Sequence, residues 1–356
     1  MNKIKNINKN YIIAAVLSNH FFITKYLLYN LYTHGTIYSF MYLFIICLII
    51  AGLSPILYHY TKKNFLNKRS PIVAWILSVY LLISSILSLI TLGNFVSIHW
   101  LNATNQTLII GSILLLIVFI AFVDDKAVYK TLALLFLVLL AILLIYGISK
   151  YQFLSIEHIT TYISLSKMNF DVIIYSVFII LETFFIFFIP NVDKAPLTKK
   201  NYYTYIGFMI FVILFEGIIE LNEFNGIIQY VTYPFFESFN IIYFGQYIGY
   251  LNFPVLFIYV IGCFSKIALN LKVLQKNLGK SKWNGIFIAL CFIIPVALLK
   301  NANDYANIRL FFVIPALIAL FLALLLYNLK GGLLNGRNTN STRPLPKKRR
   351  RQVQGQ

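Results

Sequence analysis

Residues 107 to 147 read TLIIGSILLLIVFIAFVDDKAVYKTLALLFLVLLAILLIYG, two long apolar runs separated by a short polar stretch around Asp124, Asp125 and Lys126. A helix that crosses ~30 Å of hydrocarbon needs roughly 20 mostly apolar residues. The stretch therefore predicts two consecutive membrane spans, 107 to 123 and 128 to 147, joined by a tight turn. Outward from this pair, similar runs occupy 11 to 31, 37 to 59, 72 to 93, 170 to 190, 203 to 222, 252 to 273, 284 to 299 and 308 to 328. The fold expected is an all-α polytopic membrane protein with about ten transmembrane helices. Its parts are a cytoplasmic amino terminus (1 to 10), a transmembrane domain (11 to 329) and a basic, flexible cytoplasmic tail (330 to 356).

Composition supports the same class. Hydrophobic residues make up 60% of the 356 and charged residues 12%, against ~45–50% and ~25% in soluble domains. A soluble globular protein is excluded, and the loops leave no room for a separate soluble domain. The apolar run after MNKIKNINKN lacks a small-residue cleavage site and reads as a retained first span. Cys47, Cys263 and Cys291 all fall within apolar runs without ligand spacing, so they read as packing residues.

The formal charge of +19 is explained by where the basic residues lie. With the amino terminus inside, most of the 30 Lys and Arg residues fall in cytoplasmic segments, among them Lys62, Lys63, Lys126, Lys130, Lys199, Lys200, Lys272 and Lys276. Only Lys150, Lys167, Lys300 and Arg309 stand near outer ends, and Lys25 and Lys266 are inside spans. This is the positive-inside pattern for two cytoplasmic termini, and it argues against nucleic acid as a partner. The tail Arg343 to Arg351 suits an anionic lipid surface.

Five spans precede the long outer segment 148 to 169 and five follow it, which inverts the second half relative to the first. That arithmetic fits the five-plus-five inverted repeat of many secondary transporters, whose sites form near the midplane at broken helices.

Polar residues inside the spans mark candidate sites. Ser18-Asn19-His20 interrupt the first span, reading either as a local break lining a cavity or as an unbroken helix bonding its neighbours. Glu182 lies deep in the sixth span beside Thr183, where a carboxylate faces the bundle interior and is protonated, paired or part of a solute path. Glu216 and Glu220 share one helix face at i and i+4; Glu216 is the candidate proton acceptor, whereas Glu220 and Glu223 read as solvated outer residues. Lys266 either snorkels to the inner surface or holds a fixed charge in place of a sodium ion. The segment 223 to 251 is aromatic and free of Lys and Arg, and with Pro234 at a helix start it reads as an interfacial or re-entrant outer helix, either an aromatic lid over a cavity or an interfacial belt. No metal, nucleotide or covalent-cofactor motif occurs, so no cofactor is expected. His34, His99 and His158 lack regular spacing and a nearby Arg cluster, which argues against a membrane enzyme.

Several of these residues carry a family resemblance. Tyr233-Pro234, the run to Tyr243-Phe244-Gly245, the span ending Gly262-Cys-Phe-Ser-Lys266-Ile267, and Phe178-Ile-Ile-Leu-Glu182 closing in Ile189-Pro190 together resemble the spore germination receptor B subunits, the GerAB-type permeases. The resemblance is clearest over 170 to 275. It implies a fold of the amino acid-polyamine-organocation (APC) superfamily with unwound first and sixth spans. It further implies a subunit that binds a small, amino-acid-like nutrient germinant in a transporter-like pocket and signals to A and C partner subunits in the inner membrane of the spore. Glu182 and Lys266 are the positions carried over. The other function open to such a chain is a proton-coupled transporter of amino acids or other small solutes, coupled through Glu182 or Glu216. The ligand set under this reading is Ser18, Asn19, His20, Glu182 and Thr183, with Lys266 and Glu216 in ion or proton coupling.

Overall fold

The computed structural model describes residues 11, 13–18, 39–62, 71–100, 106–151, 176, 177, 179, 180, 182, 183, 198–231, 233–244, 247–250 and 252–278. The expected spans 284 to 299 and 308 to 328, the basic tail, Lys25, Asn19 and His20 lie outside them. The described chain is helical apart from one short antiparallel strand pair. In order it forms α1 (Ser39–Lys62), α2 (Pro71–His99), α3 (Gln106–Phe122), α4 (Asp125–Ser149), α5 (Lys199–Phe224), a 3-10 turn (Asn225–Tyr230), α6 (Pro234–Asn240), β1 (Ile241–Phe244), β2 (Tyr247–Tyr250) and α7 (Asn252–Leu278). Helical fragments also occur at 13 to 18 and within 176 to 183.

Among the described residues, four segments are long and apolar enough to cross a membrane: Ser78–His99, Asp125–Ser149, Lys199–Phe224 and Ile258–Gln275. Shorter apolar helices run over Tyr42–Ile56 and Leu108–Phe122. The four differ in how far they are enclosed. Within the most apolar window, 83% of the α7 segment and 75% of the α2 segment are buried, against 28% for α4. The α2–α7 pair is thus the centre of the bundle and α4 lies at its rim. On α4, Leu134, Leu137, Val138, Leu144, Ile145 and Ile148 are exposed at helical spacing, an apolar stripe suited to hydrocarbon contact.

Contacts fix the relative directions of the helices. Phe95 stacks on Tyr259, Cys263 Sγ reaches Ser88 O, and Asn270 reaches Ser85 and Leu81, so α2 and α7 run antiparallel along one seam. Phe136 meets Phe208, Tyr146 meets Phe215 and Lys150 meets Glu223, so α4 and α5 run parallel. The helical residues 176, 177, 179, 180, 182 and 183 lie on the chain path between those two parallel helices.

Local chemistry explains several boundaries. Pro71 and Pro234 stand at the first positions of α2 and α6, where the missing N–H costs nothing and φ is already helical. Pro55 lies inside α1 and cannot donate to the carbonyl of Ala51; Ser54 Oγ donates to that carbonyl at 2.9 Å instead. Ser54 O in turn accepts the Tyr202 hydroxyl at 3.0 Å, joining α1 to α5. Gly147 permits the close approach of α4 to α5: a Cβ there would stand 2.6 Å from Phe215 Cζ.

The segment 223 to 251 departs from the single interfacial or re-entrant helix expected of it. A helix does start at Pro234, but it lasts only seven residues and gives way to a pair in which Ile241 faces Tyr250 and Phe244 faces Tyr247. Apart from Gly249, both strands consist of β-branched and aromatic residues, Ile241-Ile242-Tyr243-Phe244 and Tyr247-Ile248-Gly249-Tyr250, and such residues favour extended pairing over a longer helix.

Candidate solute site

Glu182 and Lys266 meet at the centre of the bundle. Lys266 Nζ donates to Glu182 Oε1 at 3.0 Å, and the same oxygen accepts Tyr80 OH at 2.9 Å and Ser84 Oγ at 2.8 Å. Each charged residue is only 4% exposed. Three donors from two helices thus converge on one carboxylate oxygen, which offsets the cost of holding the charge away from water. Lys266 therefore does not snorkel to the surface. Glu182 Oε2 is buried and has no hydrogen-bond partner among the described residues.

The seam continues in polar steps on both sides of the pair. Asn270, one helical turn beyond Lys266 on the same face, donates to Ser85 Oγ at 2.8 Å, and its Oδ1 is a second buried acceptor with no partner among the described residues. Ser85 and Ser88 satisfy their own hydroxyls by donating to the carbonyls of Leu81 and Ser84 one turn back. That habit lets a serine-rich helix sit in an apolar environment without leaving its hydroxyls unmatched. Thr183 Oγ1 donates to Ile179 O at 2.7 Å, and Thr183 O accepts the Tyr205 hydroxyl at 2.7 Å. Thr183 thereby contributes to holding the Glu182 backbone in place.

The other expected site residues stand apart. Ser18 is fully buried in its helical fragment and donates to Ala15 O at 2.7 Å; Asn19 and His20 lie outside the described residues. Glu216 is fully buried on α5, where it acts electrostatically on Tyr146 and Tyr259 together with Glu220. It belongs to a second polar cluster and not to the Glu182 group.

That second cluster corrects the expectation of solvated outer glutamates. Glu220 is 1% exposed, and Glu223 accepts Lys150 Nζ at 2.5 Å, the lysine side chain being fully buried. Ser238 Oγ donates to the other oxygen of Glu223 and lies 3.0 Å from Tyr146 OH. The physical reason is the return of α6 over the ends of α4 and α5, which excludes the water that the sequence reading assumed. Burial draws the Lys150 ammonium below the usual lysine range, and the hydrogen bond and charge of Glu223 oppose that shift.

A third polar group ties α7 to the α3–α4 turn. Lys272 Nζ donates to Val123 O at 2.6 Å and stands 3.7 Å from Asp125 Oδ1, while Gln275 Nε2 donates to Ala121 O at 3.2 Å. A cation at the carboxyl end of α3 also meets the negative end of its helix dipole.

Sequence reasoning passed over Tyr80, Ser84, Asn270, Lys150 and Ser238. The available signal was the i, i+4 spacing of Tyr80, Ser84 and Ser88, and of Lys266 and Asn270, which places polar groups on one face of each helix. No family model matches the chain, and no curated protein matches it.

Proposed function

We propose that the chain is a membrane-embedded solute-binding protein of transporter type, and specifically the B subunit of a spore germinant receptor that works with A and C subunits. The observation that supports this reading best is the Glu182–Lys266 pair, two opposite charges kept side by side in the most enclosed seam of an apolar bundle. Intramembrane ionisable residues generally mark solute or ion paths. A small zwitterion suits this chemistry. Its ammonium competes with Lys266 for Glu182 and has Glu182 Oε2 and Asn270 Oδ1 as further acceptors, while its carboxylate takes Lys266. Differential binding to the opened pair then shifts the conformational equilibrium that partner subunits sense.

Orientation follows from charge. Lys126, Lys130, Lys199, Lys200 and Lys272 gather at the end where α4 and α5 begin, whereas Lys150 stands at the other. The positive-inside rule assigns the lysine-rich end to the cytoplasm and the α6 end to the outer side of the spore inner membrane.

The test is thermal melting of the purified chain against a panel of amino acids, nucleosides and sugars. A ligand present at 100 times its Kd stabilises by ~2.7 kcal/mol. We expect an amino acid to raise the melting temperature, and the rise to vanish in the double variant Glu182→Leu, Lys266→Met. Stabilisation by a non-zwitterionic solute alone, or one that survives in the double variant, sinks the reading. A second reading, a proton-coupled transporter, is favoured by the same buried pair; steady uptake of labelled amino acid into vesicles holding this chain alone would select it.

A further inference from the structure

The outer end of the bundle is closed by α6, which is held by a chain of polar groups drawn from three elements. Lys150 at the end of α4 donates to one oxygen of Glu223 in the last turn of α5; Ser238 of α6 donates to the other oxygen and shares a hydrogen bond with Tyr146 OH. One carboxylate therefore joins all three elements. Around this anchor, α6 presses its rings into the bundle: Phe236 packs edge-on against Phe95, and Phe235 packs against Tyr146 and Tyr259. Phe95 and Tyr259 stack at 4.1 Å across the α2–α7 seam. Tyr259 precedes Lys266 by seven residues, ~10 Å along the helix, so this ring layer lies between α6 and the buried ion pair.

We propose that Lys150, Glu223 and Ser238 form the latch of a hinged plug, with α6 as the plug and the Phe95–Tyr259 layer as the seal beneath it. Release of Glu223 unties α6 from α5 and α4 from α5 at one stroke, leaving the Ser238–Tyr146 contact as the pivot about which α6 moves outward to open the seam toward Glu182 and Lys266. Three features suit a latch more than a permanent brace. The two tethers converge on a single group, so one event undoes both. The Glu223 side chain is 12% exposed while Lys150 is fully buried, so the carboxylate stands at the edge of the cluster and the lysine stays poised beneath it to close again. The plug is a seven-residue helix flanked by a 3-10 turn and a strand pair, and short elements without helical continuity are the kind that open locally. The purpose of opening rests on the solute-site reading above; the latch itself and its test involve no solute.

Cys263 supplies the probe, since it lies on α7 between Tyr259 and Lys266 and is fully buried with Sγ directed at Ser88 O. In a Cys47→Ser, Cys291→Ser background, Cys263 is the one remaining thiol. Its labelling by a charged, membrane-impermeant methanethiosulfonate is followed from the outer face of sealed membranes. Slow labelling is expected in the parent. Raising the open state from about 1% to about 10% speeds labelling about tenfold, and this is the rise expected of Glu223→Gln and of Ser238→Ala. The charge exchange Lys150→Glu with Glu223→Lys should return the rate close to that of the parent. Unchanged labelling in Glu223→Gln, in protein that melts like the parent, overturns the latch. So does a rise that the charge exchange fails to reverse, or an equal rise from the cytoplasmic face, because either indicates general loosening of the bundle. Restored latching without any stabilising solute would leave the plug standing and remove the solute-site reading.

Discussion

Lys266 and Glu182 are 84 positions apart in the chain, yet Nζ and Oε1 meet at 3.0 Å in the least accessible part of the bundle. Removing one member of such a pair strands the other charge, which typically costs ~3–5 kcal/mol. Lys266→Met is expected to lose about that much unfolding free energy in mixed micelles, toward the lower end because Tyr80 and Ser84 still donate to the carboxylate. The double variant Lys266→Met, Glu182→Leu should recover most of the loss. Equal instability of the single and double variants would show that the charge itself is not what the site must balance.

The bond from Asn270 to Ser85 on the same seam predicts a much smaller effect. Both groups are neutral, and interhelical hydrogen bonds of this sort contribute ~0.6 kcal/mol on average and ~1.7 at most. Asn270→Leu should therefore fall within that range by the same unfolding measurement. A loss as large as that of Lys266→Met would mean that Asn270 supports the ion pair directly.

At the lysine-rich end, the two partners of one clasp should respond unequally. Lys272 is 3% exposed and donates to backbone at 2.6 Å, whereas Asp125 is 32% exposed and 3.7 Å away. Asp125→Asn removes a partly solvated charge pair and is expected to cost ~0–1 kcal/mol. Lys272→Met also deprives the α3 carboxyl end of its donor and should cost ~1–3 kcal/mol more. Melting curves of the two variants at low and high salt provide the check, with salt reducing the difference between Asp125→Asn and the parent.

Glycines on α4 and α5 provide a steric control. Gly147→Ala puts a methyl 2.6 Å from Phe215 Cζ and is expected to destabilise by ~1–3 kcal/mol, with relief from the companion change Phe215→Leu. Gly207→Ala meets nothing within 4 Å and should be neutral or stabilising by up to ~1 kcal/mol, since alanine is the better helix former. Thermal melting of the three variants decides the matter, and destabilisation by Gly207→Ala would place a neighbour against α5 at that position.

The helices were the most legible part of the sequence because a run of apolar residues reports its own solvent. Asp125–Ser149 and Lys199–Phe224 overlap the expected spans 128 to 147 and 203 to 222. Glu182 and Lys266 stood out for the converse reason, as charges where charge is costly. Tyr80 and Ser84 did not, because a hydroxyl in an apolar helix so often serves only its own backbone, as Ser88 does here. Glu220 and Glu223 were misread as surface residues because burial at a helix end depends on what folds over it, and α6 is set by contacts distant in sequence. The strand pair after Asn240 was missed for a related reason: its aromatic and β-branched residues suit an interfacial helix and a hairpin about equally until pairing partners are known.

Helix α4 carries Lys150 at its carboxyl end and begins at Asp125, the partner of Lys272, so one continuous rod spans the distance between the two clasps. Its 25 residues extend ~37 Å, against a hydrocarbon slab of ~30 Å, and its apolar flank faces outward. A rod longer than the slab accommodates by tilting, and the tilt changes with bilayer thickness. Leaning α4 displaces its lysine tip relative to the carboxylate on α5, so the acyl-chain length and packing of the surrounding lipid become a mechanical input to the closed end of the bundle.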